Sequence, residues 1–367
     1  MSVEYSDYLK LRGSVALVSV GNTIEFFKTN TRDSTKVAIN YEGMEELLLR
    51  FTGDRNLREI CDSHKDIERE TLKNFCGFLN SKNILINSDA SYLPTVEKRF
   101  GRLIGLIEDY LPRKSLVIEA LANLSTSKVM IVGMGAVGTW VAEGLARAGV
   151  KNFQLVDDDI VEPSNLHRQN FSNYQVAKKK ASVTKERLLT LGAENVEIFD
   201  TKIDYDFFSE IPPGADLIIN CADFPNVDIT TDIVARYCMA NGIPHIVGGG
   251  YNLHLTLVGQ TIIPGLTACA KCFEIHMQAQ NQDDIFGVKK LNRRNRKIGS
   301  FGPLTSLSAS ITTIDSIKVL IGAYEDLTNS NTRIEFRLNE MDFQRELIPK
   351  NLQCPWCGKD GIFSRNL

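Results

Sequence analysis

The sequence predicts an α/β protein whose main domain is a Rossmann-like, mostly parallel sheet with helices on both faces. The first observation is a buried strand, Lys128–Val132, that runs into the glycine-rich segment 133–138 and then into a helix that ends near Ala148. The second is another apolar strand, 153–156, that ends in an acidic run. Strands alternating with helices are typical of parallel sheets. The third is a set of two Cys-x-x-Cys pairs, which predicts a structural zinc site beside this fold.

Composition and charge exclude several classes of protein. The chain has 367 residues, of which 43% are apolar and 24% charged, with a formal net charge of −3. These are the values of an ordinary globular protein long enough for two or three domains. We expect no nucleic acid and no membrane as partner, because the charge attracts neither and no apolar run approaches the roughly 20 residues that span a bilayer. The N-terminus lacks the pattern of a signal peptide, so a cytoplasmic location is expected.

Residues 1–90 are predicted to form a small, winged-helix-like α+β domain. Strand-like runs at 15–20 and 23–27 are joined by Gly-Asn, which is typical of a hairpin. Three helical patterns follow, and the longest has apolar residues at i, i+3, i+4 and i+7 (Leu72, Phe75, Cys76 and Leu79). Segment 84–86 is predicted to be one more strand. No helix carries a Lys/Arg stripe suited to a DNA groove, which disfavours a DNA-binding winged helix.

The helix–Thr-Gly–helix–helix–strand pattern of residues 47–86 resembles the peptide-recognition domain of peptide-modifying enzymes, the type seen in the pyrroloquinoline quinone carrier protein. The resemblance implies that residues 1–90 bind the leader of a precursor peptide as an additional strand at an open sheet edge. A purely structural cap is the alternative. Residues 91–125 are predicted to be linker helices, and 126–367 the nucleotide-binding domain with the zinc site.

The glycine-rich segment predicts a phosphate site. Glycines after a strand let the backbone approach an anion at a helix N-terminus, where free N–H groups and the helix dipole favour negative charge. Asp157 lies about 20 residues after Gly138, where an acidic side chain binds ribose hydroxyls. These features alone leave a dinucleotide and ATP equally open.

The polar residues after the second strand favour ATP. Arg168 and Lys180 suit a triphosphate, whose charge must be neutralised while pyrophosphate leaves, whereas a dehydrogenase has no use for them. Strand-like segment 216–220 delivers Asp223 to the carboxyl edge of the sheet, where a carboxylate can hold Mg²⁺. The sequence therefore predicts ATP and Mg²⁺ as ligands.

Residues from about 99 to 357 resemble the ThiF/MoeB/ubiquitin-activating E1 superfamily, through the segments GMGAVG, LVDDDIVEPSNLHRQ, VAKKK, CADFPN, CAKC and CPWCG. The resemblance implies an E1-like adenylation fold, with Asp157 on the ribose, phosphate-binding residues after it, and Asp223 on magnesium. The residues expected to bind the nucleotide are Gly133, Gly135, Gly138, Asp157, Asp159, Asn165, Arg168, Gln169, Lys180 and Asp223. Those expected to be catalytic are Arg168, Lys180, Asp223 and Arg102. Arg102 belongs to a segment, 99–102, that resembles one in which an arginine reaches into the partner's ATP site, which implies a homodimer.

Three positions depart from the family pattern. The usual glycine before the phosphate lysines is Ala177, and the usual asparagine after the magnesium aspartate is Phe224, with Asn226 as a candidate substitute. No cysteine lies between Cys272 and Cys354, where members with a reactive thiol often keep one. This argues against thioester chemistry.

Four cysteines are the predicted zinc ligands: Cys269, Cys272, Cys354 and Cys357. Four thiolates leave no open coordination position, so we expect a structural metal. The basic run 289–297 is predicted to be either a solvated loop or a contact for an acidic peptide or departing pyrophosphate.

A peptide clamp joined to an adenylating core without a thioester cysteine resembles the branch of the superfamily that modifies ribosomally made peptides in antibiotic biosynthesis. The implied reaction activates a peptide carboxyl or amide oxygen with ATP, and an internal nucleophile then attacks. A pantocin-like link between two glutamates is favoured, because the basic run suits an acidic peptide. The alternatives are a microcin C-like transfer of AMP to a peptide C-terminus, adenylation of a sulfur-carrier protein ending in Gly-Gly, an NAD-dependent oxidoreductase, and a non-catalytic scaffold.

Overall fold

The computed structural model describes residues 2–210, 214–252, 255–284 and 299–364. The chain divides into two compact units, Met1–Ala122 and Asn123–Leu367. Helix α5, Lys114–Thr126, crosses the boundary between them. Among the described residues, none of the helices combines the length and the apolarity needed to cross a membrane.

The first unit is a small α+β body. Its strands are β1 (Leu9–Leu11), β2 (Val15–Val20), β3 (Thr23–Lys28), β4 (Ser34–Ala38) and β5 (Leu85–Asn87). Its helices are α1 (Met44–Leu49), α2 (Leu57–Ser63), α3 (Arg69–Ser81) and α4 (Pro94–Tyr110). The predicted hairpin is confirmed, and β4 extends it to the antiparallel order β2-β3-β4, while β1 pairs with β5. Helices α4 and most of α5, predicted as a linker, lie in this unit.

Helix positions in the first unit follow from caps and apolar spacing. Asn56 begins α2 with a capping box: its side chain accepts from the Glu59 N–H at 3.0 Å, and Glu59 accepts from the Asn56 N–H at 2.9 Å. The predicted apolar face of α3 is buried through Leu72, Cys76 and Leu79. These side chains share one core with β3 and α1, in which the largest fully buried side chains include Phe26, Leu47, Leu48, Leu57 and Ile60.

The second unit contains a six-stranded sheet and a four-stranded sheet. Its strands are β6 (Lys128–Val132), β7 (Asn152–Val156), β8 (Asn195–Phe199), β9 (Leu217–Asn220), β10 (His245–Val247), β11 (Gly250–Asn252), β12 (Leu255–Leu257), β13 (Gln260–Ile262), β14 (Thr332–Arg337) and β15 (Asp342–Leu347). Its helices are α6 (Gly138–Ala148), α7 (Lys180–Leu191), α8 (Phe207–Glu210), α9 (Val227–Asn241), α10 (Ala270–Asp284) and α11 (Gly302–Leu320).

The six-stranded sheet confirms the predicted Rossmann-like fold. Its order is β13-β10-β9-β6-β7-β8, and every pair is parallel except β10 with β13. Strand β6 is buried from Val129 to Val132, as expected for a strand covered on both faces. The chain moves outward from β6 to β7 and β8 and then returns to β9 on the other side of β6. Such a reversal opens a crevice at the carboxyl ends of the strands, the usual ligand site of these sheets.

Candidate functional site

The glycine-rich loop joins β6 to α6 at the reversal of strand order. Gly133 has φ +92°, and a Cβ there would stand 2.8 Å from the backbone of Cys221 and Ala222, so only glycine fits. A Cβ on Gly138 would collide with the carbonyl oxygen of Gly133. Gly133 and Gly135 line a cavity, whereas Gly138 is not among the described residues that line it. Gly138, predicted to contact nucleotide, lies behind the loop and lets the first turn of α6 pack against it.

One cavity of about 1430 Å³ occupies the crevice. Ligand pockets usually measure roughly 300–1000 Å³, so this one has room for a nucleotide and a second ligand. The predicted nucleotide-binding residues that line it are Gly133, Gly135, Asp157, Asp159, Asn165, Arg168, Gln169, Lys180 and Asp223.

Asp157 follows β7 and is held by the backbone. One carboxylate oxygen accepts from the Met134 N–H at 2.6 Å and the other from the Asp159 N–H at 2.9 Å. Burial raises the pKa of Asp157, while these hydrogen bonds and the charge of Lys180 act in the opposite direction. A carboxylate oxygen has two lone pairs, so each oxygen can still accept a further hydroxyl.

Lys180 begins α7 and is only 7% exposed. Its Nζ donates to Asp159 Oδ2 at 2.8 Å, and its N–H donates to the Asp159 carbonyl at 3.0 Å. The neighbouring Lys179 differs: its side chain is 43% exposed and pairs with Asp200 at 2.8 Å. Of these two lysines, only Lys180 lines the cavity.

The segment after Asp159 supplies three more polar side chains. The Asn165 side chain accepts from the Glu162 N–H at 3.0 Å, and the Arg168 guanidinium donates to the Ser164 carbonyl at 2.6 Å. Gln169 is 8% exposed, and its Oε1 has no hydrogen-bond partner among the described residues. A buried acceptor in a cavity wall costs free energy unless a ligand or water satisfies it, so this wall fits a polar ligand.

A buried carboxylate fixes this segment between two helices. Glu143 of α6, with its side chain 9% exposed, accepts from Arg147 at 2.6 Å, from Arg187 of α7 at 3.1 Å and from the Asn170 amide at 2.6 Å. Burial acts to raise its pKa, but the hydrogen bonds from these partners prevail and lower the pKa to about 2. Glu143 thus links α6, which follows the glycine-rich loop, to α7, which begins at Lys180, and to Asn170.

Two carboxylates enter the cavity after β9. Asp223 is exposed and lines the cavity, as does Asp228 in the first turn of α9. Asn226, the candidate substitute for the family's asparagine, instead caps α9 by accepting from the Ile229 N–H at 2.9 Å. It is not among the described lining residues, whereas Asp223 and Asp228 both are. Carboxylate oxygens are the ligands that Mg²⁺ prefers, so the chemistry of these two side chains fits that ion.

Ala177 shows why a glycine is usual at its position. Its φ is +70°, in the left-handed region that strains a residue with a Cβ. Its N–H donates to the Val161 carbonyl at 2.8 Å, which holds the turn before α7 in place.

The cavity also has lining residues for which the sequence predicted no contact with a ligand. Lys202 follows β8, Phe224 follows β9, and a glycine run, 248–250, follows β10. The cavity is also lined by Phe273 and Met277 of α10 and by Thr332 and Arg333 of β14. Apart from Phe224, which belongs to the CADFPN segment, these side chains belong to no local motif named above, because distant strands and helices bring them together.

The four predicted zinc ligands form one buried cluster. Their sulfur atoms all lie within 4.8 Å of one another, at separations that include 3.8 Å (Cys269–Cys272), 3.6 Å (Cys269–Cys354) and 3.4 Å (Cys272–Cys357). A tetrahedron with Zn–S bonds of about 2.3 Å has edges of about 3.8 Å, so the cluster fits zinc. Backbone N–H groups of Asn351 and Trp356 donate to two of the sulfurs. The cluster packs against Ala235 and Met239 of α9, and the four cysteines are not among the described residues that line the cavity.

Two other predicted features lie elsewhere. Arg102 is an exposed residue of α4 in the first unit. The basic run 289–297 lies outside the described residues.

Comparisons with known proteins agree with this architecture. The chain is 28% identical over 67% of its length to the SAMP-activating enzyme E1 of Haloferax volcanii, covering 86% of that protein. It is 26% identical over 70% of its length to the molybdopterin-synthase adenylyltransferase of Haemophilus influenzae, covering 97%. The crystal structure of Escherichia coli MccB with ATP matches 95% of this chain and 99% of its own, with a TM-score of 0.75 and 23% identity. The structure of PaaA matches 93% and 100%, with a TM-score of 0.68 and 22% identity.

The family comparison is decisive for the second unit. The ThiF family model matches residues 113–356, well over half of the chain and all of the cavity described above. This protein therefore belongs to the ThiF family and is an ATP-dependent adenylating enzyme.

Proposed function

We propose that this enzyme adenylates a ribosomally made precursor peptide. In this proposal the first unit binds the leader of the peptide, and the cavity of the second unit brings a carboxyl or amide oxygen of the core peptide to the α-phosphorus of ATP. The oxygen attacks, the bond to pyrophosphate breaks, and a nucleophile of the same peptide then displaces AMP. A link between two glutamate side chains, with loss of water, is the favoured product.

The single observation that carries this function is the convergence of the phosphate-site residues in one cavity with room beside them. Asp157, Arg168 and Lys180 all line this cavity. In the proposal Asp157 accepts the ribose hydroxyls, and Arg168 and Lys180 neutralise the departing pyrophosphate. Asp223 and Asp228 would hold Mg²⁺, which supplies charge neutralisation on the triphosphate. Arg333 also lines the cavity, where it pairs with Glu335, and it is the cation proposed to meet an acidic peptide.

The likeness of the first unit favours a peptide over a carrier protein. The MccB and PaaA structures match more than nine tenths of this chain, whereas the curated relatives named above match about two thirds. The structure of MccB in complex with N-formylated MccA also matches 95% of this chain. A precursor peptide is accordingly the proposed partner, with a homodimer in which Arg102 of one subunit completes the site of the other.

Pyrophosphate exchange tests the proposal. Purified enzyme with labelled pyrophosphate and ATP is expected to form labelled ATP only with a peptide that contains adjacent acidic residues. Lys180→Met should abolish the exchange, because a cation buried beside the phosphates is lost. Lys179→Met is the matched control, since this neighbour points to Asp200, and it should keep the exchange.

The comparisons give specific support to two other substrates, and each would give a different result in the assay. Relatives named as sulfur carrier protein ThiS adenylyltransferases favour a protein ending in Gly-Gly. The likeness to MccB, a microcin C7 biosynthetic enzyme, favours the microcin C-like alternative, which is transfer of AMP to a peptide C-terminus. Our proposal would be contradicted if pyrophosphate exchange occurred with a Gly-Gly carrier protein but with none of the peptides. If mass spectrometry showed a product peptide heavier by one AMP, the reaction would be AMP transfer and not a crosslink.

A further inference from the structure

His167 is the one histidine among the described residues that line the cavity. Its Nε2 lies 3.2 Å from the hydroxyl oxygen of Ser300, which lines the cavity as well. The backbones are also in close contact, because a Cβ on Gly302 would stand 2.8 Å from the His167 carbonyl oxygen. Beside them, Thr305 of α11 donates to the Arg168 carbonyl at 3.2 Å. The imidazole is therefore held in the cavity wall by a segment that lies 133 residues further along the chain.

The contact with Ser300 leaves the imidazole able to accept a proton. When Nε2 carries the hydrogen and donates to the serine hydroxyl, the lone pair of the ring is on Nδ1. Among the residues that the structure describes, Nδ1 of His167 has no hydrogen-bond partner. Protonation of Nδ1 would give an imidazolium that keeps its hydrogen bond to Ser300, so no existing contact is lost.

The other polar groups of the cavity wall are weaker proton acceptors. Lysine and arginine side chains carry their protons at neutral pH, and carboxyl groups have an ordinary pKa of about 4, well below the value of about 6.5 for imidazole. The acidic side chains among the described lining residues are Asp157, Asp158, Asp159, Glu162, Asp223 and Asp228. Asp159 pairs with Lys180 and Asp158 with Lys202, which weakens both carboxylates further as bases. The sulfur of Cys221 lies against the glycine run after β10, since a Cβ on Gly248 would stand 2.8 Å from it.

The two halves of the proposed reaction differ in their need for a base. In the first half a peptide carboxylate or amide oxygen attacks the α-phosphorus without losing a proton. In the second half the nucleophile of the same peptide is an amide N–H or a carbon acid, which must lose its proton as it attacks. An effective general base has a pKa near the working pH, and imidazole meets this condition.

We propose that His167 is the general base of the second half-reaction. The new bond to the activated carbonyl carbon forms, the carbon–oxygen bond to AMP breaks, and AMP leaves as an anion. The proton of the nucleophile passes to Nδ1 of His167 and then to solvent. The inference rests on the proposed function in taking a nucleophile of the peptide as the second reactant.

Separate assays of the two half-reactions test this role, with a synthetic peptide that contains two adjacent glutamates. His167→Gln should keep pyrophosphate exchange, and capture of the adenylate by hydroxylamine, within about threefold of the wild type, because neither requires the base. Formation of the crosslinked peptide, followed by mass spectrometry, should fall by about 100-fold or more. Added imidazole should restore part of this product formation in His167→Ala and should not accelerate the wild type.

Two variants provide matched controls. Ser300→Ala removes one neutral hydrogen bond to the ring and should slow product formation by only about fivefold. His276 of α10 lies in the same unit, with Nε2 2.7 Å from Glu346 Oε1, and neither of these two residues is among the described lining residues. His276→Gln should leave both half-reactions unchanged.

Three results would overturn the role of His167. These are crosslinking by His167→Gln at the wild-type rate, an equal loss of exchange and crosslinking, which would indicate a structural role, and no effect of imidazole on His167→Ala. Failure of the proposed function would appear instead in the wild type, as exchange with a Gly-Gly carrier protein but with no peptide. The base would then be tested with that carrier and glycinamide as the added nucleophile: His167→Gln should slow this transfer by about 100-fold, and an unchanged rate would exclude the role.

Discussion

Replacement of Glu143 by glutamine tests the physical basis of the site. The pKa of Glu143 falls from an ordinary value of 4.5 to about 2 in the folded protein. At about 1.4 kcal/mol per unit this corresponds to at most roughly 3.4 kcal/mol of stability. Arg147 and Arg187 are 56% and 51% exposed, so solvent screens the pairs, and we expect Glu143→Gln to lower the free energy of unfolding by about 1–2 kcal/mol at pH 7.

The pH dependence follows from the direction of the shift. Because the folded-state pKa is lowered, the stabilisation is complete above about pH 4.5 and is lost as the pH falls toward 2. Urea unfolding followed by tryptophan fluorescence measures it, since both tryptophans, Trp140 and Trp356, belong to the second unit. Glu186→Gln, at an exposed position beside Arg187, should change stability by less than about 0.5 kcal/mol. Equal stability of Glu143→Gln and wild type at pH 7, or a difference that grows on acidification, would refute the reasoning.

Three further predictions concern the metal, a strained residue and a buried histidine. Cys354→Ser should lose bound zinc, measured by elemental analysis, whereas Cys238→Ser, at a buried thiol outside the cluster, should retain it. Ala177→Gly should leave stability unchanged or raise it by up to about 1 kcal/mol in urea titrations, because relief of the left-handed strain exceeds the added freedom of the unfolded chain; a loss would contradict this. Burial lowers the pKa of His245 to about 4, so stability should fall by up to about 1.4 kcal/mol per pH unit between about pH 6.5 and 4. His245→Gln should remove that slope, and an unchanged slope would exclude His245 as its source.

The sequence predicted those features that depend on local patterns. The strand of residues 128–132, the glycine loop and the helix after it form as expected, because apolar runs and glycines determine them within a few residues. The four cysteines meet because Cys-x-x-Cys spacing brings each pair together, and the thiols of the two pairs are buried in one cluster. The fold class followed from the same alternation of strands and helices.

Other features could not be predicted from the sequence, because they depend on contacts between distant segments. Asn226 was a candidate ligand by its place in a motif, but an asparagine before a helix can also cap it, and the structure shows the cap. Gly138 belongs to the phosphate motif, yet its lack of a side chain serves the approach of α6 to the loop. Asp228 lines the cavity because it lies in the first turn of α9, which begins at the edge of the cavity.

The sequence alone determined the nucleotide-binding fold, the four metal ligands and the order of charged residues after the second strand, since each is written in short spacings. The tertiary structure decided which side chains share the cavity. Sheet order brings Lys202 to Phe224 across two intervening strands, and β14 brings Arg333 to the same cavity. No local sequence pattern predicts these contacts, because they depend on how all the strands pair and the helices pack in the second unit.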